Sequence, residues 1–428
     1  VKLGTLAILA AALLACGSGE RGGDRVLLVG IDGATLRVAG PMVRAGALPN
    51  LARIGGAGVY GHLRSHFPLM SPRIWTSIAT GKVPEKHGIL GFAHPGEGGG
   101  EAQLYLGSDR LVHALWNIAS DAGLSVGVVN WWNTYPPETV NGVIVSDHLL
   151  PAEVRGRRWL TGAAAPRRAP IIYPPEWAER VATVLEDERP LTRIADPFAD
   201  GTRLPAWTKP GRLSEHYRTD EAIARIALDI EAELQPDVLM VLLPGIDRIS
   251  HVLWGGIEAP EEGGKAPPMS VEERAASAAA LRRYYAFTDA LIGRLMERYG
   301  SDDLVMVVSD HGFEAGSTLN DTSGIHTSRK ALRGLLFARG RGIGPPDAPG
   351  PVSVNDVTPT VLAWLGLPVA ADMDGKVAGF LRGGAAAAVI DTYDTAPVER
   401  ASAPPSGAES AIFEELRALG YLESGGGP

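Results

Sequence analysis

Apolar residues in this chain fall into two arrangements. Short unbroken runs at Arg25–Ile31, Val126–Asn130, Val238–Leu243 and Leu304–Val308 are of the kind buried on both faces of a parallel sheet. Weaker runs at Asn141–Asp147 and near Leu335–Ala338 predict two further strands. Between the strands the period changes. Ile223, Ile226, Ile230 and Leu234 stand at helical spacing within Thr219–Leu234, and Pro236 ends that helix. Ser270 and Glu273 form a capping box for a long helix through Arg298, closed by Gly300, and Asp356–Leu365 is a helix stopped by Gly366 and Pro368. The alternation predicts an α/β fold: a central, mostly parallel sheet flanked by helices on both faces. Residues 150–218 break the pattern, rich in Pro and Arg without a sustained period, and read as an inserted cap. From about Gly383 the chain is rich in Ala, Pro and Gly and reads as a loose tail, with a short amphipathic helix at Ile412–Leu422.

Length and charge narrow the class. The 428 residues are 45% hydrophobic, enough for a large core, and a net charge of −9 with no basic stripe argues against a nucleic-acid partner. Residues 1–23 read as a targeting segment and tether: Lys2, an apolar run from Leu3 to Ala15 too short to span a bilayer, then Cys16. Leu13-Leu14-Ala15-Cys16 resembles a bacterial lipobox, which implies cleavage before Cys16 and lipid on its sulfur. The expected location is outside the cytoplasm, anchored by lipid on the periplasmic side of a membrane or at the cell surface. Cys16 is the sole cysteine, so neither a disulfide nor a thiolate metal site is available.

The chemistry gathers at strand ends. Asp32 follows the first strand, Asp247 and His251 follow Val238–Leu243, Asp310-His311 follows Leu304–Val308, and His326 lies shortly beyond. Ligand-type residues past the carboxyl ends of apolar strands point to one shared site at that edge of the sheet. Three carboxylates and three imidazoles would repel and lose solvation there without bound metal. Oxygen and nitrogen donors without thiolate suit Zn²⁺, with Mn²⁺ or Mg²⁺ as substitutes. Ser71, followed by Pro72 and a helix-compatible run, is expected at or near a helix N-cap, where the helix dipole suits an incoming phosphoryl or sulfuryl group. An ordinary capping serine has the same local sequence, and only its partners raise it to a nucleophile. His87 reads as fixing the Pro84–Gly88 turn; His62, His66, His94, His113 and His216 read as structural or surface residues. Trp131 and Trp132 can wall a substrate pocket or pack in the core.

Asp32, the Ser71 helix with Thr80-Gly81 and His87-Gly88-Ile89, Asp247-x-x-x-His251, Asp310-His311-Gly312 and Gly324-x-His326 resemble the alkaline phosphatase superfamily. Within it the chain is most similar to the type I phosphodiesterase/nucleotide pyrophosphatase branch, over roughly Arg25 to Phe380. The resemblance implies a catalytic domain over 24–382 and a phosphohydrolase acting on small phosphate esters through Ser71 and two zinc ions. One ion would be held by Asp32, Asp310 and His311 beside Ser71, the other by Asp247, His251 and His326. Two positions depart from the branch. Many of its diesterases carry Thr where this chain has Ser71, and Phe92 stands where nucleotide pyrophosphatases carry an oxygen-binding Asn. Arg73 is the residue expected to substitute for that Asn, with Phe92, Trp131 and Trp132 as further substrate surface. Sulfatases share the fold but need a [C/S]-x-P-x-R motif, whereas Pro72 and Arg73 directly follow Ser71. A phosphomonoesterase, a phosphotransferase and a non-catalytic binding lipoprotein are the remaining alternatives.

Overall fold

Strand β1, Val26–Ile31, is the middle of nine strands in the computed structural model, which describes residues 24–96, 101–149, 170–199, 204–259, 269–316, 323–345, 350–382, 387–395, 406–418 and 421. The others are β2 (Val59–Arg64), β3 (Val126–Val129), β4 (Gly142–Val145), β5 (Ile172–Tyr173), β6 (Val238–Leu243), β7 (Leu304–Val308), β8 (Arg333–Arg339) and β9 (Val352–Ser353). Their order across the sheet is β9-β2-β8-β7-β1-β6-β3-β4-β5. The five strands β7-β1-β6-β3-β4 are parallel, while β8 runs antiparallel to β7 and β2, and β5 antiparallel to β4. The sheet is therefore mixed at its flanks and parallel where the apolar runs lie. Val29 pairs with Val241 on one side and Val307 on the other, so the carboxyl ends of β1, β6 and β7 finish level. That register carries Asp32, Asp247 and Asp310 to one edge.

Alternation along β1 feeds two cores. Leu27, Val29 and Ile31 face a layer that includes Ile223, Ile226, Ile230, Leu281 and Phe287 from two long helices, Pro210–Leu234 and Val271–Leu295. Val26 and Leu28 face Ile74, Trp75 and Ile78 of the Ser71 helix, and Val357, Val361 and Leu362 of helix Val357–Trp364. The inner strands β1, β3, β6 and β7 bury both faces, which is why their sequences lack polar alternation.

Several boundaries differ from the sequence pattern. The helix expected from Thr219 begins at Pro210, because Pro suits a first turn and Leu213 and Tyr217 continue its apolar face. β2 escapes the pattern: VYGHLR exposes alternate residues beside the sheet's rim and carries little apolar signal. Of residues 150–218, the described parts add β5 to the sheet's other rim and a helix, Trp177–Leu185, whose Val181 joins the core. The terminal helix is Glu409–Ala418; Ala408, Ile412 and Leu416 pack with Phe92 and Leu104. The lipobox and Cys16 lie outside the described residues, and no described helix is long and apolar enough to cross a membrane.

Candidate metal centre and active site

Two turns set Asp32 and Asp247 facing each other. Gly33 adopts φ +69°, which a side chain would resist, and a Cβ there would meet the Phe313 ring at 2.7 Å. Its N–H donates to Asp310 Oδ1 at 3.2 Å, while Ala34 N–H donates to Ser309 Oγ at 2.8 Å, so the loops after β1 and β7 are tied together. Helix Gly245–Leu253 starts directly after β6, with Asp247 in its first turn and His251 one turn on. Gly245 permits that start: a Cβ would lie 2.0 Å from Tyr284 Oη and 2.4 Å from Asp220 Oδ2. His326 follows the short strand Gly324–Ile325, anchored where Ser323 N–H donates to His251 O at 2.8 Å.

All six expected metal ligands are buried and converge. Asp32, Asp310 and His311 form one group of donors within 4.8 Å of one another, and Asp247, His311 and His326 another. His251 joins the second, its Nε2 3.6 Å from Asp247 Oδ1, as is His326 Nε2. His311 lies between the groups, its Nε2 3.4 Å from Asp32 Oδ1 and 3.8 Å from Asp247 Oδ1. His251 Nδ1 contacts Gly324 O and His311 Nδ1 contacts Gly312 O, each at 3.0 Å. Those carbonyls can only accept, so both Nδ1 atoms carry the proton and both Nε2 lone pairs face the centre, the tautomer a metal requires.

The donor set fits a cation. Asp310 Oδ2 and His311 Nε2 are buried, 3.4 Å apart, and without hydrogen-bond partners among the described residues. Burial and the neighbouring Asp32 carboxylate push Asp247 and Asp310 well above the usual carboxylate range. Burial takes His251 down to about 3 and lowers His311 and His326 as well. Carboxylates that resist ionising among imidazoles that resist protonation are what a bound metal ion would relieve.

Ser71 stands beside this centre, with one revision. The helix runs Ser71–Thr80 with Met70 at its N-cap, so Ser71 is the first helical residue and Pro72 shares its first turn. Its hydroxyl donates to Asp32 Oδ1 at 3.3 Å, and Asp32 Oδ2 accepts from the indoles of Trp75 at 3.3 Å and Trp132 at 3.4 Å. Asp32 is thus oriented on its far side by two rigid donors.

A cavity opens over Ser71, Asp32 and Asp247, walled by Phe92, Trp132 and Tyr421. Trp131 does not reach it. Asn130 and Asn133 adopt φ of 58° and 59°, and between them Trp131 turns inward, edge-on to Trp75 at 5.1 Å with its Nε1 donating to Trp75 O. Arg73 does not line it either. Two positions along the helix is about 200° of rotation, and its guanidinium lies 3.4 Å from Glu85 instead. The cation that lines the cavity is Arg248, paired with Glu415 of the terminal helix. Arg248 was detectable only as the neighbour of Asp247, and Tyr421 had no signal in its Gly- and Ala-rich surroundings. The remaining histidines are elsewhere. His87 accepts from Ile89 N–H through Nδ1 and contacts Ser77 Oγ, as does His66, so both brace the Ser71 helix from behind.

A model of the family described as type I phosphodiesterase / nucleotide pyrophosphatase matches residues 26–333. No curated protein matches. Among solved structures, a 2-O GAG sulfatase superposes with a TM-score of 0.51 at 14% identity, covering 85% of this chain and 75% of that one. A putative sulfatase from Bacteroides thetaiotaomicron gives 0.50 at 15% identity, with the same coverage. Phosphonoacetate hydrolase from Sinorhizobium meliloti gives 0.41 at 17% identity, covering 70% and 59%. At these identities the likeness to the sulfatases is one of fold, that of the alkaline phosphatase superfamily. The family match spans the strands and loops that build the centre, and the chain belongs to the type I phosphodiesterase/nucleotide pyrophosphatase family of hydrolases acting on phosphoric ester bonds.

Proposed function

We infer that the protein is a two-zinc phosphodiesterase with Ser71 as its nucleophile. The observation that carries this reading is the Ser71 hydroxyl, hydrogen-bonded to Asp32 at the start of a helix, beside two groups of buried donors. Asp32, Asp310 and His311 would hold one ion, and Asp247, His251 and His326 the other. Bound there, such ions supply Lewis-acid neutralisation of phosphoryl oxygens and lower the pKa of a coordinated oxygen. Ser71 Oγ attacks phosphorus, forming a seryl-phosphate ester as the P–O bond to the leaving alcohol breaks. Water then cleaves the seryl ester and restores the hydroxyl. The helix dipole favours the anionic phosphoryl group, while Trp75 and Trp132 hold Asp32 fixed throughout.

The walls support a diester substrate. Arg248 is the cation in the cavity and Glu415 already neutralises it, while Arg73 points elsewhere. Among the described residues a monoester dianion meets no free fixed charge there, whereas Phe92 and Trp132 give an ester substituent an apolar surface. The test is kcat/KM of zinc-loaded protein for bis(p-nitrophenyl) phosphate, p-nitrophenyl phosphate, p-nitrophenyl sulfate and a phenyl phosphonate. The diester should lead. A monoester preference overturns the substrate reading, and a sulfate preference overturns the chemistry. We also propose that Cys16 carries a lipid anchor; intact mass of membrane-extracted protein should show the acyl chains, lost in Cys16→Ser.

A further inference from the structure

The terminal residue of the described chain enters the metal centre. Tyr421 Oη is 2.8 Å from His251 Nε2 and 2.5 Å from His326 Nε2, and 3.5 and 3.3 Å from the two oxygens of Asp247. Asp247 Oδ1 is in turn 3.6 Å from each of those nitrogens. Four donors on a tetrahedral zinc ion, with bonds of ~2.0–2.1 Å, lie about 3.3 Å from one another. The phenol oxygen has that spacing from Asp247 and lies closer still to both imidazole nitrogens, so an ion held by these three residues would have it among its nearest atoms.

Its approach is built rather than grazing. Tyr421 N–H donates to Leu416 O at 2.9 Å, tying it back to helix Glu409–Ala418. The ring packs on Phe92 with centroids 4.5 Å apart. The helix is held by Glu415 against Arg248, by Ile412 and Leu416 in the apolar cluster around Phe92, and by Ser406 Oγ 2.8 Å from His148 Nδ1. None of these contacts depends on a metal.

We propose that Tyr421 is a fourth protein ligand to the ion held by Asp247, His251 and His326, closing that site in the resting enzyme. The inference rests on the two-zinc reading above. Ligation breaks the phenol O–H bond, releases the proton to solvent and forms an oxygen–metal bond. Zinc sites with four protein ligands are closed, and catalytic ones keep one position open for water or substrate. Tyr421 must therefore leave for turnover, and the helix that carries it is a lid latched by the metal.

The experiment uses the full chain as wild type, Tyr421→Phe and His251→Ala, titrated with zinc against a chromophoric chelator. Tyr421→Phe keeps the ring on Phe92, and circular dichroism checks that each variant is folded. In the wild type, zinc should produce the ultraviolet difference spectrum of an ionised phenol, absent in Tyr421→Phe. The variant should bind one of two zinc ions at least about tenfold more weakly, the floor set by losing groups that merely support ligands. Zinc should protect the C-terminal segment from limited proteolysis in wild type alone, and at saturating zinc the variant should exceed wild type in kcat/KM for the diester. Unchanged affinity for both ions with no phenolate spectrum overturns the inference and leaves the zinc reading intact. Equal zinc binding by His251→Ala and wild type overturns the zinc reading, and this inference falls with it.

Discussion

Ser71 differs from the other described serines by what surrounds its oxygen. Asp32 accepts its proton at 3.3 Å, and that carboxylate is held in turn by the indoles of Trp75 and Trp132. Ser71→Ala should cost at least about 10³-fold in kcat/KM, since the covalent route is removed. Initial rates with bis(p-nitrophenyl) phosphate check this, and retention of activity within about tenfold would assign the nucleophile elsewhere. On the proposed two-zinc reading Asp310→Ala and His251→Ala fall at different ions, so each should lower bound zinc by about one per chain, read by metal analysis after dialysis. The six candidate ligands were legible because each follows an apolar run or stands at a fixed offset from one that does. Arg73 misled, because sequence distance from Ser71 says nothing of the helix face that points at the cavity. Arg248 holds the position expected of Arg73, and only its contact with Glu415, 167 residues away, reveals it.

Individual elements deliver these groups through tight local packing. Helix Gly245–Leu253 places both Asp247 and His251, and its first residue lies against Tyr284 Oη and Asp220. Gly245→Ala should therefore destabilise the fold by about 1–3 kcal/mol through overpacking and weaken zinc binding at the Asp247 ion. Thermal melting and zinc titration read the two effects separately. A second junction ties the 387–395 segment to the helix before β3. Asp394 accepts from the ring and the backbone N–H of His113 and from Lys82. Burial works to raise the Asp394 pKa, yet the hydrogen bonds from His113 and Lys82 bring it well below the usual carboxylate range. The hydrogen bond to Asp394 raises His113. A raised imidazole contributes stability that is complete below its unfolded pKa of about 6.5 and lost as pH rises through the folded value. A depressed carboxylate contributes above its unfolded pKa of about 3.9 and loses it as pH falls through the folded value. His113→Gln should accordingly lower Tm more at pH 5.5 than at pH 9; an equal loss at both would mean the pair does not titrate as a unit.

For the molecule as a whole, the proposed two-zinc reading couples metal to fold. The centre buries Asp32, Asp247 and Asp310 together with three imidazoles, and two of its donor atoms, Asp310 Oδ2 and His311 Nε2, lack partners among the described residues. Ions bound only by the folded chain add stability by mass action, about 4 kcal/mol at a thousandfold excess over Kd. Chelation should thus lower Tm and zinc should restore it, by differential scanning calorimetry; an unchanged Tm would separate the metal from the fold. The sequence by itself determined the parallel heart of the sheet, since β1, β3, β6 and β7 are short apolar runs buried on both faces and need no distant information to be recognised. It determined the ligand types as well, because a strand's last residue and the next few emerge at the same sheet edge whatever the rest of the chain does. Tertiary structure decided what those strands could not encode. It made β8 antiparallel and added the half-exposed β2 beside it, as neighbours at a rim depend on available partners rather than on local pattern. It sent Trp131 to the core and Trp132 to the site through two residues at positive φ. It also brought Glu415 and Tyr421, whose amphipathic segment said nothing of its destination, onto Arg248 and the candidate metal ligands, a contact fixed by the apolar cluster around Phe92. Strand burial is written in consecutive residues, whereas the closing of a site depends on surfaces that exist only once the sheet has formed.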